Sequence, residues 1–547
     1  MDYFLGLDCS TQSFSGILID FQEKKTLFSH SINFDVNLPQ YGTQHGVYTS
    51  NDGKVVHSNP LMWVEALELL FAIFLQEGLP LNDIKLITGS GQQHGTVYLN
   101  KSFEPTVKNL NNEKSLVSQI KGTFSRETSP VWMDSSTTKE CEEIRNQLGG
   151  LKSTIQITGS NTFERFSGPQ IRKFYKDNHD DYSQTSVIHL VSSFLSSVLL
   201  GKNSPIDHSD GAGMNLMNIK TKEWDNRALD STAPDLKKKL PPLTNPYSII
   251  GKIAPFFVDR YGFSSETLLI PWSGDNPSSL IGVGLTEKGK AAISLGTSDT
   301  FFTYLKDLFV DLSGEGHVFG APTGDYMGLI CYKNGSLARE KVKDSFNLNW
   351  TDFSNILAKT PPGNYGKIML PYFFPEIVPL VSKPKVHRFG FDENDLEGNV
   401  RAVIEAQFLS MKIHSEWTQE PPEEIYATGG ASTNLEILKI VANIFNTKVR
   451  QFEATNSAAL GAALRSAKSY YNLKNQIFDW TELVEGFLKI EESIIIHPNK
   501  KYELLYNDML TIYQKYEDYI LRNGEDPELF RQNFIKKYFK NQRDNQS

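Results

Sequence analysis

A strand, a turn of small polar residues and a returning strand occur twice in this chain, once at its start and once past its middle. Apolar residues 3–7 and 14–20 flank the polar turn 8–13, and residues 291–295 and 301–305 flank the turn 296–300. Each copy is typical of a β-hairpin. Two such units in matching places indicate an internal duplication, so we expect two related halves.

These turns are suited to binding anions. Hydroxyl groups and freed backbone N–H groups converge at such a turn and can hold phosphate oxygens. Asp8, which opens the first turn, could hold a hydrated Mg²⁺, an ion that keeps most of its waters and needs few protein carboxylates. The alternative is a pair of ordinary hairpins.

Composition and charge narrow the class of protein. The 547 residues are 39% hydrophobic and 22% charged, which is ordinary for a globular chain with room for two to four domains. A net charge of −9 argues against a nucleic-acid partner and does not suggest attraction to membranes. Three widely spaced cysteines, no signal peptide and no apolar stretch of membrane-spanning length predict a cytoplasmic protein.

The segment 273–280 carries a candidate catalytic acid. An apolar run at 268–270 is broken by Gly274, Asp275, Asn276 and Pro277, after which a helix can begin. A carboxylate on such a strand-to-helix turn is held by backbone, so Asp275 could act as a base toward a bound ligand. The alternative is a plain helix N-cap.

Two further segments favour recognition of a polyhydroxyl ligand. Residues 89–95 place two amides and His94 among glycines at a strand end, where a binding role and a structural role are equally plausible. Arg165 lies between Phe163 and Phe166, and could bind hydroxyls with its planar fork or form a structural ion pair.

The second half of the chain also has glycines at the end of a predicted strand. Residues 425–434 predict a strand, a turn with Gly429 and Gly430, and a helix start. Adjacent glycines allow close approach of a flat ligand such as adenine, although an ordinary βα turn has the same pattern. Small residues at 457–463 predict tight helix packing. Trp132 could be a stacking wall for a ligand or part of the core, and we expect it in the core.

Seven motifs in order give the chain a recognisable pattern over about residues 3–520. They lie at residues 5–13, 91–95, 132–137, 164–166, 274–277, 294–299 and 428–432. In these motifs the chain resembles the FGGY carbohydrate kinases of the actin/Hsp70/sugar-kinase superfamily. Within them it is most similar to the eukaryotic branch that acts on xylulose.

The resemblance implies an α/β fold with two ribonuclease-H-like domains flanking a deep cleft. The expected N-terminal domain, residues 1–284, carries the sugar site and the first phosphate hairpin. Residues 285–522 form the expected nucleotide-binding domain, and residues 523–547 a C-terminal extension that is partly frayed beyond about Lys537. We expect a monomer or homodimer.

The resemblance also implies an activity, the phosphorylation of D-xylulose to D-xylulose 5-phosphate by ATP with Mg²⁺. Asp275 is then the general base on the 5-hydroxyl. The residues expected to hold the sugar are His94, Arg165, Asp275 and Asn276.

The nucleotide site is implied in the same way. Two groups of residues are expected to hold the phosphates of ATP, namely Ser10, Thr11 and Gln12 in the first hairpin and Gly296 and Thr297 in the second. The residues expected against the adenosine are Gly429, Gly430, Ala431 and Asn434, with Trp350 as a candidate wall. Asp8 is expected near Mg²⁺, through water.

Two departures from the family pattern affect the substrate more than the chemistry. Lys173 is not followed shortly by the usual Trp, and Gln93 stands where bacterial xylulose kinases commonly carry Met. The second departure favours the eukaryotic branch. The alternatives are a sister kinase for ribulose, fuculose or glycerol, a chaperone-like ATPase of the same superfamily, and a catalytically inactive sugar sensor.

Overall fold

The computed structural model describes residues 2–452, 456–488 and 494–543, the last with side chains up to residue 539. These residues form two compact units. The first contains the described residues within Met1–Glu287, Tyr304–Met327 and Ala454–Leu488, and the second those within Lys288–Thr303, Gly328–Glu453 and Lys489–Ser547. Neither unit is one continuous stretch of the sequence.

A seven-stranded sheet lies at the centre of the first unit. The predicted hairpin is its antiparallel pair, in which Leu5 lies opposite Leu18. A strand from later in the chain pairs in parallel with the first hairpin strand, on the other side. The strands are Tyr3–Cys9, Ser13–Asp20, Lys25–Asn33, Ile84–Gly91, Gly251–Lys252, Leu268–Leu269 and Ser273–Gly274.

The first unit also contains helices, some of which pack on this sheet. The longer ones are Pro60–Gln76, Thr138–Gln147, Leu151–Thr158, Ser167–Asp177, Val191–Leu200, Asn226–Thr232, Pro255–Tyr261, Asp275–Gly282 and Ser457–Leu473. Pro60–Gln76 shows why such a segment is helical: the Asn59 side chain caps its first turn and Pro60 stands at its first position. Its apolar face, including Trp63 and Phe71, is fully buried in the core of the unit.

Shorter elements complete the first unit. Its small sheets contain Tyr48–Thr49, Val56–Ser58 and Ser129–Pro130, then Thr96–Asn100 with Thr185–Leu190, Ile206–Asp207 with Leu243–Thr244, and Met217–Asn218 with Glu223–Trp224. A further strand is His317–Gly320. Its short helices are Phe34–Asn37, Phe103–Lys108, Leu116–Ile120, His179–Gln184, His208–Gly211, Leu236–Lys239 and Trp480–Val484.

The helix Ser457–Leu473 packs directly on the backbone of its neighbours, as its small residues predict. A Cβ on Gly461 would lie 1.9 Å from the Ser278 carbonyl oxygen, and one on Gly282 would lie 1.8 Å from the Ser457 carbonyl oxygen. A Cβ on Gly6 would lie 2.0 Å from the Ala459 carbonyl oxygen. The helix is therefore in backbone contact with both the first strand and the helix that Asp275 begins.

The second unit repeats the strand order of the first. In the second seven-stranded sheet, the strands that repeat the order of the first are Tyr326–Tyr332, Asp299–Leu305, Lys290–Leu295, Glu424–Thr428, Lys448–Gln451 and Ile495–Ile496. The second predicted hairpin is again antiparallel, and its first strand again pairs in parallel with a later strand. This shared order agrees with the predicted duplication. A small sheet pairs Ile368–Pro371 with Val386–Phe389.

Six longer helices surround the second sheet: Ser336–Ser345, Trp350–Lys359, Leu396–Ser415, Leu435–Phe445, Glu503–Arg522 and Glu528–Arg543. The last one differs from the expected fraying beyond Lys537, since it is helical through Arg543. Phe534, Ile535 and Phe539 are buried in the core of the second unit, so apolar packing holds this helix in place. Residues 544–547 lie outside the described residues.

Within the described residues, no helix is long and apolar enough to cross a membrane. The division into domains 1–284, 285–522 and 523–547 stays a prediction.

Candidate active site

Three strand ends meet at one edge of the first unit's sheet. Ile84–Gly91 pairs in parallel with the first strand, which sets Asp8 opposite Ser90. Ser273–Gly274 pairs in parallel with the last two residues of Ile84–Gly91. Because the carboxyl ends of parallel strands lie at the same edge of a sheet, Asp8 and Asp275 lie at the same edge.

Asp275 is the first residue of helix Asp275–Gly282, and Gly274 occupies the N-cap position. The Oδ1 of Asp275 accepts hydrogen bonds from the backbone N–H groups of Asn276, at 2.8 Å, and Gln93, at 3.2 Å. Burial raises the pKa of Asp275 to about 6, against the lowering effect of these bonds. The alternative role as an N-cap is therefore wrong, and the carboxylate is fixed by backbone from two segments.

Asp8 is a second buried carboxylate at this edge. Its Oδ1 accepts a hydrogen bond of 2.7 Å from the Ser90 hydroxyl. Burial and the nearby charge of Asp275 raise the pKa of Asp8 to about 7. An acid whose ionisation is opposed by burial and by a neighbouring acid is suited to the presence of a cation.

His94 offers a hydrogen-bond acceptor. Its backbone is left-handed, with φ of 72°, and its Nδ1 lies 2.7 Å from the Gly213 carbonyl oxygen. A carbonyl only accepts, so the ring proton is on Nδ1 and Nε2 is a bare acceptor. Burial, followed by the charge of Arg165, lowers the pKa of His94 to about 3, so the ring stays neutral.

Arg165 lies between aromatic rings and is bonded to an imidazole. Its guanidinium carbon lies 5.1 Å from the ring centroid of Phe163 and 5.5 Å from that of Phe166. Its Nη2 lies 2.7 Å from the Nε2 of His317. In the described part of the chain no carboxylate pairs with Arg165, so the alternative of a structural ion pair is wrong.

Gln93 links the catalytic candidate to the predicted sugar ligands. Besides its backbone bond to Asp275, its side-chain Oε1 accepts a bond of 3.0 Å from the Asn276 Nδ2. Its Nε2 is buried and has no partner in the described residues. The side chain of Gln93 therefore orients Asn276 and keeps a donor free beside His94.

The first hairpin turn is closed by its own serines. The Ser10 hydroxyl donates to the Ser13 carbonyl oxygen at 3.0 Å. The Thr11 hydroxyl lies 3.3 Å from the Gln92 Oε1 and accepts a bond of 2.8 Å from the Trp132 indole N–H. Gln12 follows with an exposed side chain. Trp132 is 45% exposed, so its expected place in the core is wrong.

In the second unit the predicted nucleotide residues fall into two neighbouring loops. Gly429 has a φ of 86°, and a Cβ on it would lie 2.7 Å from the Leu295 carbonyl oxygen, next to Gly296. Gly430 is exposed, and a Cβ there would meet nothing within 4 Å. Thr297 is exposed and Ala431 half-buried. These loops present backbone to any ligand that approaches them.

Asn434 and Trp350 have local structural contacts. The Asn434 side chain caps helix Leu435–Phe445 by accepting bonds from the N–H groups of residues 436 and 437. Trp350 is 45% exposed and begins helix Trp350–Lys359, which packs against Leu435–Phe445. The ring centroid of Trp350 lies 5.6 Å from that of Phe353 in the same helix.

The sequence assigned no role to His317, and it assigned Gln93 to ligand recognition without its bond to Asn276. His317 is fully buried and contacts Arg165 across 152 positions of the chain, so no local motif could have revealed it. Gln93 carried a signal, since it lies between Gln92 and His94 in a glycine-flanked strand end.

Comparisons with known proteins agree with this geometry. Models of the FGGY family of carbohydrate kinases match residues 127–282 as its N-terminal domain and residues 291–470 as its C-terminal domain. "Xylulose kinase 2" of Arabidopsis thaliana is 41% identical over 510 residues, which cover 89% of this chain and 90% of that protein. "Xylulose kinase" of Rattus norvegicus is 38% identical over 534 residues, which cover 96% of this chain and 98% of that protein.

Solved structures agree in fold. The crystal structure of xylulose kinase from Rhodospirillum rubrum is similar with a TM-score of 0.80 at 15% identity, covering 95% of this chain and 99% of that chain. Together with the two family models, this likeness confirms the predicted α/β fold class. Both family models match, and relatives well above 30% identity cover most of the chain. The protein therefore belongs to the FGGY family of carbohydrate kinases.

Proposed function

We propose that this protein transfers a phosphoryl group from ATP to D-xylulose and so forms D-xylulose 5-phosphate. Membership of the FGGY carbohydrate kinases supports the reaction class, and the names of the relatives from Arabidopsis thaliana and Rattus norvegicus support the sugar. The observation that carries the chemistry is Asp275, a carboxylate with a raised pKa, fixed by backbone at a strand-to-helix turn.

In this proposal Asp275 is the general base. A sugar hydroxyl is a poor nucleophile until a carboxylate takes its proton as phosphoryl transfer proceeds. With a pKa of about 6, Asp275 is mostly ionised at neutral pH and still basic enough to accept that proton. The backbone N–H of Gln93 holds one carboxylate oxygen, so the group is oriented before the sugar arrives.

The sugar is held by groups of complementary hydrogen-bonding character. The bare Nε2 of His94 accepts from a hydroxyl, and the guanidinium of Arg165 donates to oxygens. Asn276, oriented by Gln93, lies directly after the base. A polyhydroxyl ligand that both donates and accepts fits this set better than an apolar or purely anionic one.

We propose that ATP is bound by residues of the two hairpin turns and of the glycine turn at 429–430. In this proposal the phosphates lie at Ser10, Thr11 and Gln12 in the first hairpin turn and at Gly296 and Thr297 in the second. Thr11 and Gln12 offer backbone N–H groups there, whereas the hydroxyl and the N–H of Ser10 both donate to the Ser13 carbonyl oxygen. Gly430 leaves backbone exposed beside the helix that Asn434 caps, which suits the close approach of a flat base. Ala431 and Trp350 are the further adenosine contacts in this proposal.

Asp8 is the residue that would hold Mg²⁺, through water. The chain fits a hydrated ion, because Asp8 is a buried carboxylate whose ionisation is opposed by burial and by Asp275 and whose charge a dication would favour. No group of three or more potential metal-binding side chains occurs among the described residues, so the ion would keep most of its waters. When bound, Mg²⁺ neutralises charge on the phosphates of ATP.

The test is ATP turnover measured by coupled ADP release across D-xylulose, D-ribulose, L-fuculose and glycerol, with a sample lacking sugar. We expect the highest kcat/KM with D-xylulose and little ADP without sugar. A preference for another sugar would indicate a sister kinase. Equal turnover without sugar would favour a chaperone-like ATPase, and binding without turnover an inactive sensor.

The role of Asp275 has its own test. We expect Asp275→Ala to lower kcat by roughly 10²–10⁴-fold, the usual contribution of a general base, while sugar still binds. Binding is measured by calorimetry, and thermal unfolding serves as the control for folding. Turnover like that of the wild type in a folded Asp275→Ala protein would refute the assignment. Cytoplasmic location and a monomeric or homodimeric state stay predictions.

A further inference from the structure

His317 is a buried imidazole bonded to the guanidinium proposed to bind sugar. It lies in strand His317–Gly320 and is fully buried, with Nε2 2.7 Å from the Arg165 Nη2. The ring centroids of Phe163, Phe166 and Phe319 lie 4.7, 5.4 and 5.8 Å away. The imidazole and the guanidinium share two of these rings, Phe163 and Phe166.

The chemistry of this contact fixes the state of the ring. Arginine has only donors, so at 2.7 Å the His317 Nε2 must accept and the ring proton must be on Nδ1. An imidazolium would place two cations against each other. Burial, then the charges of Arg165 and His94, hold the pKa of His317 well below its usual range. His317 is therefore a neutral acceptor.

The other nitrogen shows which contact sets the position of the ring. The Nδ1 of His317 is buried and has no hydrogen-bond partner in the described part of the chain. A buried donor without a partner costs the folded state stability. Among the described residues, the bond to Arg165 is therefore the one polar contact that the His317 ring makes.

A neutral acceptor differs from a carboxylate in what it leaves on the arginine. Most buried or half-buried guanidiniums pair with an acid, as Arg339 does with Asp299 and Arg465 with Asp207. Arg165 is held instead by an uncharged ring and two aromatic faces, so its orientation is fixed while its positive charge is not cancelled. Its remaining N–H groups are then available to ligand oxygens.

We propose that His317 is a positioning residue, which orients Arg165 toward the oxygens of the sugar through a neutral hydrogen bond that preserves the arginine's charge. The inference rests on the proposed sugar-kinase function. If His317 were only a packing residue, an apolar replacement of similar size would leave recognition of the sugar unchanged.

Three substitutions separate these possibilities. His317→Leu removes the acceptor, His317→Gln keeps a neutral acceptor, and His317→Glu keeps the acceptor but adds a negative charge. We expect His317→Leu to raise the KM for sugar by roughly tenfold or more, as loss of a bond to a charged group does, with the KM for ATP within about twofold of the wild type. His317→Gln should restore most of the affinity for sugar, and His317→Glu should not.

His189→Leu is the matched control. His189 is equally buried in the first unit, but its nitrogens contact Ser193 and Asn203. We expect it to lower the thermal midpoint without raising the KM for sugar relative to ATP.

Several outcomes would overturn the proposal. One is a sugar KM within about twofold of the wild type in a folded His317→Leu protein, and another is a parallel rise of both KM values, given the size expected for such a bond. If His317→Leu does not fold, equal sugar KM values for the Gln and Glu variants overturn it. A wild-type protein without turnover on any sugar overturns the proposed function, and this inference with it.

Discussion

At the scale of single residues, two acids at one sheet edge set opposite pH requirements on activity and on stability. Burial raises the pKa of Asp275 to about 6 and, together with Asp275, that of Asp8 to about 7. A base works only when ionised, so activity gains as pH rises. A carboxyl with a raised pKa binds its proton more tightly in the folded state, so the stability it contributes is lost as pH rises.

This predicts how activity and thermal stability change with pH. Between pH 5 and 8, kcat/KM for sugar should rise with an apparent pKa near 6 for Asp275, while the thermal midpoint falls as pH passes the raised pKa values. The thermal midpoint falls because the carboxyls of the unfolded chain release their protons near pH 4. Above pH 4 the unfolded chain therefore binds fewer protons than the folded state, and rising pH favours unfolding. Rates at saturating ATP and calorimetric unfolding scans measure the two trends.

Asp8→Asn is the control for the stability half of this prediction. It removes the carboxyl with the higher pKa, so the fall of the thermal midpoint between pH 6 and 8 should become smaller. An unchanged or steeper fall in the variant would contradict the assignment of that pH dependence to Asp8.

The sequence predicts a place in the candidate site for some residues and not for others. Asp275, His94 and Arg165 stand in short motifs next to glycines or aromatics, and chemistry at a strand end can be inferred from such patterns. His317 has no such motif, because its meaning comes from a contact with a residue 152 positions away. The expected place of Trp132 in the core is wrong because its indole N–H donates to the Thr11 hydroxyl and its ring is half exposed.

At the scale of elements, the helix Ser457–Leu473 holds the helix that Asp275 begins by glycine contacts. Gly461 and Gly282 each bring one helix backbone onto the other, where a Cβ would lie under 2 Å from a carbonyl oxygen. The buried Arg465 of the same helix donates to the Pro271 carbonyl oxygen, just before the strand that leads to Asp275. The position of the base therefore depends on this helix.

We predict that Gly461→Val lowers the free energy of unfolding by roughly 3 kcal/mol or more, because overpacking forces the two backbones apart. It should also lower kcat, since the helix begun by Asp275 has to move. Chemical denaturation and steady-state kinetics measure these effects. Gly122→Val is the matched control, since a Cβ at Gly122 would meet nothing within 4 Å. Similar losses in both variants would argue against the contact as the cause.

The elements were predictable where their pattern is local. The two hairpins, the helix over Pro60–Gln76 and the tight packing of 457–463 follow from alternation, capping and residue size. The last helix was misjudged because its polar residues suggested fraying, whereas Phe534, Ile535 and Phe539 anchor it from one face.

At the scale of the whole molecule, the duplication was visible in the sequence but the composition of the units was not. The paired hairpins predict a duplication, and both sheets have a matching strand order. Nothing local indicates that residues within Ala454–Leu488 and Tyr304–Met327 belong with the first unit, because membership is decided by packing between distant segments.

We predict that a fragment of residues 1–284 does not unfold cooperatively on its own, because Gly6 and Gly282 lack the helix that covers them. Circular dichroism during heating measures the transition. Co-expression with residues 285–547 is the control, and it should restore a cooperative transition and kinase activity. A sharp transition in the isolated fragment would contradict the prediction.

The first unit is made of separate stretches of the sequence, and this has a consequence for biosynthesis. A ribosome making this chain delivers the strands of the first sheet early, but the helix Ser457–Leu473 that packs on them emerges only after most of the second unit has been translated. During that interval the nascent first sheet exposes apolar surface that chaperones can recognise. Maturation of the sugar site is thus a late event of translation, although all four proposed sugar ligands lie within the first 276 residues.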